Sequence, residues 1–439
     1  MDRKIVIVGA GPTGLGTAYR LKELGYKNFQ IIEKENYVGG LSASFKDKKG
    51  FTWDTGGHVI HSHFPFFDKV LKDNLKNQKY THNRQSHVYF KGKLIPYPFQ
   101  NHIHRLPPQI FLECFWGVIK SANNKKANNF LNFINRSMGK GIAKHFMIPY
   151  NHKVWGYPLS KMSTNWISER VSTINAIDIL KNMFTANANN WGPNSRFIYP
   201  QRGTGSLWKI IAQKINTKSI YLNSNVKAVD VLNKIVTLEN GNRIKYDFLI
   251  STIPINELIK IISIKPKNVE NASKELVYNT VFFYGIGITK KQKTNTSWIY
   301  YPQKNISFYR ITFLSNYSKY LIPNKSFSSI LVEIASNQEP DSQTVIDDLV
   351  KAKIINNSDI PNVLSIWRAK APYAYPIPTL NRDQNLKTIQ KYLMSKSIFS
   401  RGRFGAWKYE ISNMDYSFMQ GVEIADKILL SKPETIWHL

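Results

Sequence analysis

The 439-residue chain has one cysteine, Cys114, which excludes an internal disulfide and a cysteine-ligated metal cluster. No apolar run approaches the roughly 18 residues that a membrane-crossing helix needs, so no stable membrane insertion is expected. Acidic residues are scarce: 29 Asp and Glu stand against 60 Lys and Arg, a formal net charge of +31. The lysines are scattered among frequent asparagines, with no long basic run and no nucleic-acid module, so no nucleic-acid partner is expected. The surplus charge still draws in anionic substrates by long-range steering. No internal repeat is present. Met1-Asp2-Arg3-Lys4 runs straight into an apolar strand and leaves no room for a signal peptide, which predicts a cytoplasmic location. An apolar content of 42% over this length predicts a large core and two or three domains.

The most informative stretch is the first. Ile5-Val6-Ile7-Val8 is a continuous apolar run suited to a strand buried on both faces of a parallel sheet. Gly9-Ala10-Gly11-Pro12-Thr13-Gly14 follows, then a helical segment with Leu15, Ala18 and Leu21 on one face, then a strand, Phe29 to Ile32, ending at Glu33. Each part has a physical task in binding a dinucleotide. Gly9 makes the tight turn, Gly11 lets a pyrophosphate approach the backbone, and Gly14 lets helix and strand pack closely. The helix N-terminus offers free N–H groups to phosphates. Glu33 accepts hydrogen bonds from ribose hydroxyls. A second glycine pair, Val38-Gly39-Gly40-Leu41-Ser42, and Asp54-Thr55-Gly56-Gly57-His58 resemble the FAD-dependent amine oxidases and their relatives. Leu41 stands where those enzymes often carry arginine, which argues against a typical amine oxidase.

Further along, two strand-like runs meet at Lys91-Gly92-Lys93 in a predicted hairpin. Pro96 and Pro98 predict an extended segment, Pro96 to Asn101, with exposed aromatic rings suited to stacking on a nucleobase. Residues 106–190 read as mostly helical, and Asn190-Trp191-Gly192-Pro193-Asn194 as a turn. A helix from Ser206 to Ile215 and strands at 220–222, 226–231, 235–238, 243–246 and 247–252 look like a second pass through a dinucleotide-binding domain, with the Val226 backbone near an adenine. Strands at 281–289, 297–301, 307–313 and 328–335 imply an antiparallel sheet carrying Trp298 and Arg310, and a helix follows at 342–354. A glycine turn, Arg401 to Gly405, leads through Asn413-Met414-Asp415 into a late helix, an arrangement suited to a flavin ring and ribityl chain.

Several segments, in order over nearly the whole length, resemble the UDP-galactopyranose mutase family, its eukaryotic type more than its bacterial type. They are Gly56 to Ile60, Pro96 to Asn101, Pro149 to Trp155, Glu169-Arg170-Val171, Asn190 to Asn194, Arg310 with Tyr317, Tyr375-Pro376, and Arg401 to Asp415. The resemblance implies an α/β protein: a Rossmann-like FAD-binding domain (1–78, 196–262 and 373–439), a helical substrate domain (105–195), and a twisted antiparallel β-sheet domain (263–372) joined by a substrate segment (79–104). It implies interconversion of UDP-galactopyranose and UDP-galactofuranose, with N5 of reduced FAD attacking the anomeric carbon and displacing UDP. NADPH or another reductant would reduce the flavin, and a homo-oligomer is possible within the family. Two alternatives remain open: the same chemistry on another nucleotide sugar, such as UDP-N-acetylgalactosamine or a UDP-pentose, and an FAD-dependent oxidoreductase of the amine-oxidase superfamily.

The resemblance also implies site residues. Arg310 with Tyr317, Tyr375 and Tyr409 corresponds to a diphosphate clamp, and Arg170 lies over the substrate, although residues alone would favour an ion pair of Arg170 with Glu169 or Asp178. Tyr97, Gln100, Asn151 and Trp155 match uridine-binding positions; Asn194, Trp298 and Asn413 match further substrate positions. His58 sits beside the flavin, where a protonated ring or a nearby backbone donor would favour the reduced anion. Gly9, Gly11, Gly14, Glu33, Gly40, Leu41, Ser42, Gly57, Val226, Arg403 and Gln420 match cofactor positions. His61 departs from the family, whose eukaryotic members usually carry phenylalanine there, close to the sugar. His58, His61 and His63 together invite a metal, but no acid or cysteine partner is evident at a suitable spacing, so none is expected.

Overall fold

The computed structural model describes residues 3–121, 127–184, 192 and 195–438. Strand Ile5–Val8 is buried at all four positions because it has a parallel neighbour on each side, Phe29–Ile32 and Phe248–Ser251. Ile398–Ser400 and Ile220–Tyr221 complete a five-stranded parallel sheet in the order 398, 248, 5, 29, 220. Its strands thus come from three distant parts of the chain. Helix Pro12–Glu23 starts directly after the first strand, with Pro12 at its first turn.

The last helix, Met414–Leu430, packs along that first one. Two glycines let the backbones meet: a Cβ at Gly16 would lie 2.3 Å from the Phe418 carbonyl oxygen, and one at Gly421 would lie 2.1 Å from that of Thr13. Arg20 Nε pairs with Asp426 at 2.6 Å across the same contact.

A seven-stranded sheet forms the second layer, in the order 363–376, 278–288, 328–335, 310–313, 298–300, 86–90, 93–96. Its pairs are antiparallel except that Trp298–Tyr300 runs parallel to Ser86–Phe90, so the expected antiparallel sheet is a mixed one. The predicted 91–93 hairpin forms its edge. The opposite edge is Val363–Pro376, a strand that the sequence reading did not identify. Its exposed alternate positions, Lys370 and two prolines make it look like loop, and such residues are tolerated on an edge.

Helices Pro108–Ser121, Phe130–Ile142, Ile148–Trp155 and Ala176–Phe184 form the helical region. The Pro96–Asn101 segment corrects one expectation. Phe99 is fully buried against Phe90 and Phe146 and opens a 3-10 helix, Phe99–Arg105, so the segment carries its phenylalanine into the core. Among the described residues, no helix is long and apolar enough to cross a membrane.

Candidate active site

A cavity of about 670 Å³ runs from the tip of the first strand to the helical region. Its two ends are built differently. At the first end the wall is largely backbone. Gly9 has φ +100°, and a Cβ there would meet Thr252 Oγ1 at 2.2 Å; a Cβ at Gly14 would lie 1.9 Å from the Gly9 carbonyl oxygen. Gly11 differs: its nearest neighbour would be Gly40 Cα at 4.0 Å, so the space before it is open. Glu33 closes this end. Its carboxylate accepts from the Ala10 amide at 2.7 Å and the Glu35 amide at 3.0 Å, and burial raises its pKa. One lone pair on each oxygen remains for further donors. Gly40, Leu41, Ser42 and Val226 line the same end.

A glycine cradle with a ribose-type acid at a helix N-terminus fits the adenosine diphosphate part of FAD. Farther in, Gly402 has φ +88° and donates its amide to Gln420 Oε1 at 2.9 Å, while Gln420 Nε2 donates to the Ile411 carbonyl. Gln420 and Gly14 thus support the cradle from behind, and neither lines the cavity.

At the second end the wall is side chain. Arg310 forms a two-pronged pair with Glu333, Nε to Oε1 at 2.7 Å and one terminal nitrogen to Oε2 at 2.8 Å. The carboxylate holds the guanidinium pKa well above its ordinary value although burial opposes it. Glu333 also accepts from the Gly57 amide at 3.0 Å and from the Tyr309 hydroxyl at 2.8 Å. Arg170 donates to Asn413 Oδ1 at 2.8 Å and to the Glu410 carbonyl at 2.7 Å, and its plane lies over Tyr409. Its Nε is buried without a partner among the described residues. Arg403 donates to the Ala374 carbonyl and to Ser412, beside the Tyr375 ring. Burial is the main cause lowering its pKa.

Tyr97, Gln100, Asn151 and Trp155 line this end too. Trp155 Nε1 donates to Asn151 Oδ1 at 3.1 Å, and Asn151 Nδ2 donates to the Met147 carbonyl, which fixes both. Gln100 Nε2 donates to the Ser172 carbonyl, leaving its buried Oε1 without a partner.

His58 lies between the two ends. Burial, then Arg403, outweigh the attraction of Glu333 and push its pKa down to about 4. The ring is therefore neutral near pH 7, so of the two expected routes to favouring a flavin anion the protonated ring is set aside and the backbone donor remains. Trp298 and Tyr317 are buried, Tyr317 against Phe197 and Tyr199, and among the described residues Trp298 Nε1 and the Tyr317 hydroxyl have no hydrogen-bond partner. Asn194 lies outside the described residues. Sequence reasoning missed Glu333, whose only local signal is a charge inside the apolar strand Ser328–Ala335. It also missed Tyr309 and Asp415. Asp415 is the acid partner that local spacing could not reveal: its Oδ2 lies 2.6 Å from His63 Nδ1, and with His61 the three could converge on an ion.

Residues 12–283 match the family model of flavin-containing amine oxidoreductases. Together with the glycine cradle, this makes the chain an FAD protein of that broad class. A crystal structure of reduced UDP-galactopyranose mutase matches with a TM-score of 0.93 and 38% identity, over 98% of this chain and 96% of that one. The chain belongs to the UDP-galactopyranose mutase family. Putrescine oxidase bound to putrescine, at TM-score 0.68 and 13% identity over 98% and 99% of the two chains, shares the fold alone. The 15-cis-phytoene desaturase of Glycine max is 37% identical over 67 residues, which is 15% of this chain and only 12% of the desaturase.

Proposed function

We propose that the protein interconverts UDP-galactopyranose and UDP-galactofuranose on FAD in its reduced form, with NADPH or another reductant supplying the electrons. The observation that carries this reading is the convergence of Arg170, Arg310 and Arg403 on a cavity continuous with the glycine cradle. A departing UDP develops charge on its diphosphate, and fixed cations and hydroxyls aimed at it stabilise that charge. Reduced flavin, when bound, supplies an electron-rich nitrogen nucleophile toward the anomeric carbon without net consumption of electrons.

The chain's own residues bind, orient and neutralise. Arg310 faces the diphosphate with its guanidinium plane set by Glu333, flanked by Tyr375 and Tyr409. The two-pronged pair fixes the fork before substrate arrives, so little orientation is left to acquire on binding. The unpartnered Arg170 Nε supports a role as donor to the sugar or to the diphosphate. Tyr97 and Trp155 offer rings to a uracil, and Gln100 Oε1 and Asn151 offer amide edges. His58, neutral, offers a hydrogen-bonding ring beside the flavin position without adding charge.

The test is anaerobic. Protein carrying FAD is reduced with dithionite, incubated with UDP-galactopyranose under nitrogen, and the products are separated. Furanose product from reduced protein and none from oxidised protein supports the reading. Turnover by oxidised protein, or oxygen uptake matching substrate loss, overturns it in favour of an oxidase.

A further inference from the structure

His61 lines the cavity, and its Nε2 lies 3.1 Å from Asn413 Nδ2. Asn413 Oδ1 accepts from Arg170 at 2.8 Å. Asn413 is also the N-cap residue of helix Met414–Leu430, yet its side chain makes no cap hydrogen bond, so its amide is given over to these two side chains. The polarity of this chain of contacts is forced. A guanidinium only donates, so the carbonyl end of the amide must face Arg170 and the NH₂ end must face His61. His61 Nε2 is then the acceptor of this contact.

We propose that His61 is a positioning residue for the sugar-binding corner: by accepting from Asn413 it fixes the amide, and the amide fixes Arg170. This rests on the reading above, in which Arg170 is a donor to the sugar or to the diphosphate, and takes the sugar as its target. Replacing the acceptor by a non-polar ring leaves a half-buried NH₂ donor without a partner and frees the amide to turn. The relevant charged groups are His63 on the same loop (ring centroids 5.3 Å apart), Asp415 on the helix, which holds His63, and Arg170 on the facing turn. Arg403 is one step farther, through Ser412. Asp415 accepts from the His63 backbone amide at 3.2 Å and pairs with its ring, which ties the loop carrying His61 to the helix that Asn413 caps.

The variants are His61→Phe, His61→Gln, Asn413→Ala and the double variant His61→Phe with Asn413→Ala, each loaded with FAD. Glutamine can present an acceptor to Asn413. His61→Phe should lower kcat/KM for the UDP-sugar about tenfold, the size of effect for one buried donor stranded. His61→Gln should restore it to within about threefold. In the Asn413→Ala background, His61→Phe should add little.

Calorimetric binding of the UDP-sugar and of UDP to oxidised protein gives a readout independent of turnover: His61→Phe should weaken the UDP-sugar and spare UDP. Ring ¹⁵N spectra of the parent should show Nε2 unprotonated at neutral pH. A glutamine variant as weak as phenylalanine, additive losses in the double variant, or a protonated Nε2 overturns the proposal. Absence of mutase activity on every UDP-sugar would instead sink the functional reading, while the ring spectra and the binding cycle would still decide the role of His61.

Discussion

The two ends of the cavity hold their ligands by opposite means. The end built from Gly9, Gly11, Gly14 and Glu33 is read by backbone, and its shape follows from where a side chain cannot fit. The end built from Arg170, Arg310 and Arg403 is read by side chains, and each of its cations is already engaged by a carboxylate, an amide or a carbonyl before any ligand arrives. At the first end a substitution acts by steric exclusion. At the second it acts by unbalancing charge or hydrogen bonds, and that imbalance can appear in stability as well as in activity.

The contrast is tested most severely at the glycines. Gly14→Val places a side chain where even a Cβ would lie 1.9 Å from backbone oxygen, so the variant should fail to accumulate as folded protein. Gly11→Val meets open space, so it should fold with a cooperative thermal transition and yet purify without FAD. A Gly11 variant that is yellow would break the assignment of that space to the cofactor.

At the other end the largest effect is expected at Glu333. Glu333→Ala strands the buried Arg310 charge and should cost about 3–5 kcal/mol in chemical denaturation. Arg310→Ala strands Glu333 in turn, so its loss of activity must be read beside its Tm. Arg170→Ala removes a cation with no carboxylate partner among its hydrogen bonds; it should lose activity by about a hundredfold, close to 2.7 kcal/mol, with a far smaller change in Tm. Equal losses of stability in the Glu333 and Arg170 variants would erase the distinction.

The smallest effect is electrostatic. His58, with a folded-state pKa of about 4 against an ordinary 6.5, binds fewer protons in the folded protein than in the unfolded chain between those values. It therefore costs stability as pH falls through that window and nothing above it. Its ring resonances should stay in the neutral position from pH 8 to about pH 5; titration near 6.5 would contradict the burial.

How much was legible follows the same division. The cradle could be read because its parts lie within about thirty residues and each glycine answers to a local steric need. The hairpins, the helical region and most strands were legible from apolar patterning. The edge strand Val363–Pro376 was not, because its exposed positions carry the same residues as a loop. Arg170, Arg310 and Arg403 came from resemblance to a family, since nothing local distinguishes a site arginine from a surface one. Their partners were invisible for the same reason: Glu333 and Asn413 reach their arginines by folding, not by spacing. Trp298 and Tyr317 likewise came from resemblance alone, since a buried aromatic reads in sequence as core.

The packing of the last helix on the first sets the order in which the molecule can be made. Residues 12–23 emerge from the ribosome early, but the surface that their glycines are shaped to meet is not synthesised until residues 414–430. The parallel sheet likewise waits for strands at 248 and 398. Until then Gly16 faces no backbone and the cradle has no far wall. Such distant contacts make folding slow and leave a long-lived nascent chain with its apolar strands unpaired. The cofactor site is therefore a late product of synthesis, and a chain that stalls or is cut before its final helix has an N-terminal fingerprint intact in sequence but no cradle in which to hold FAD.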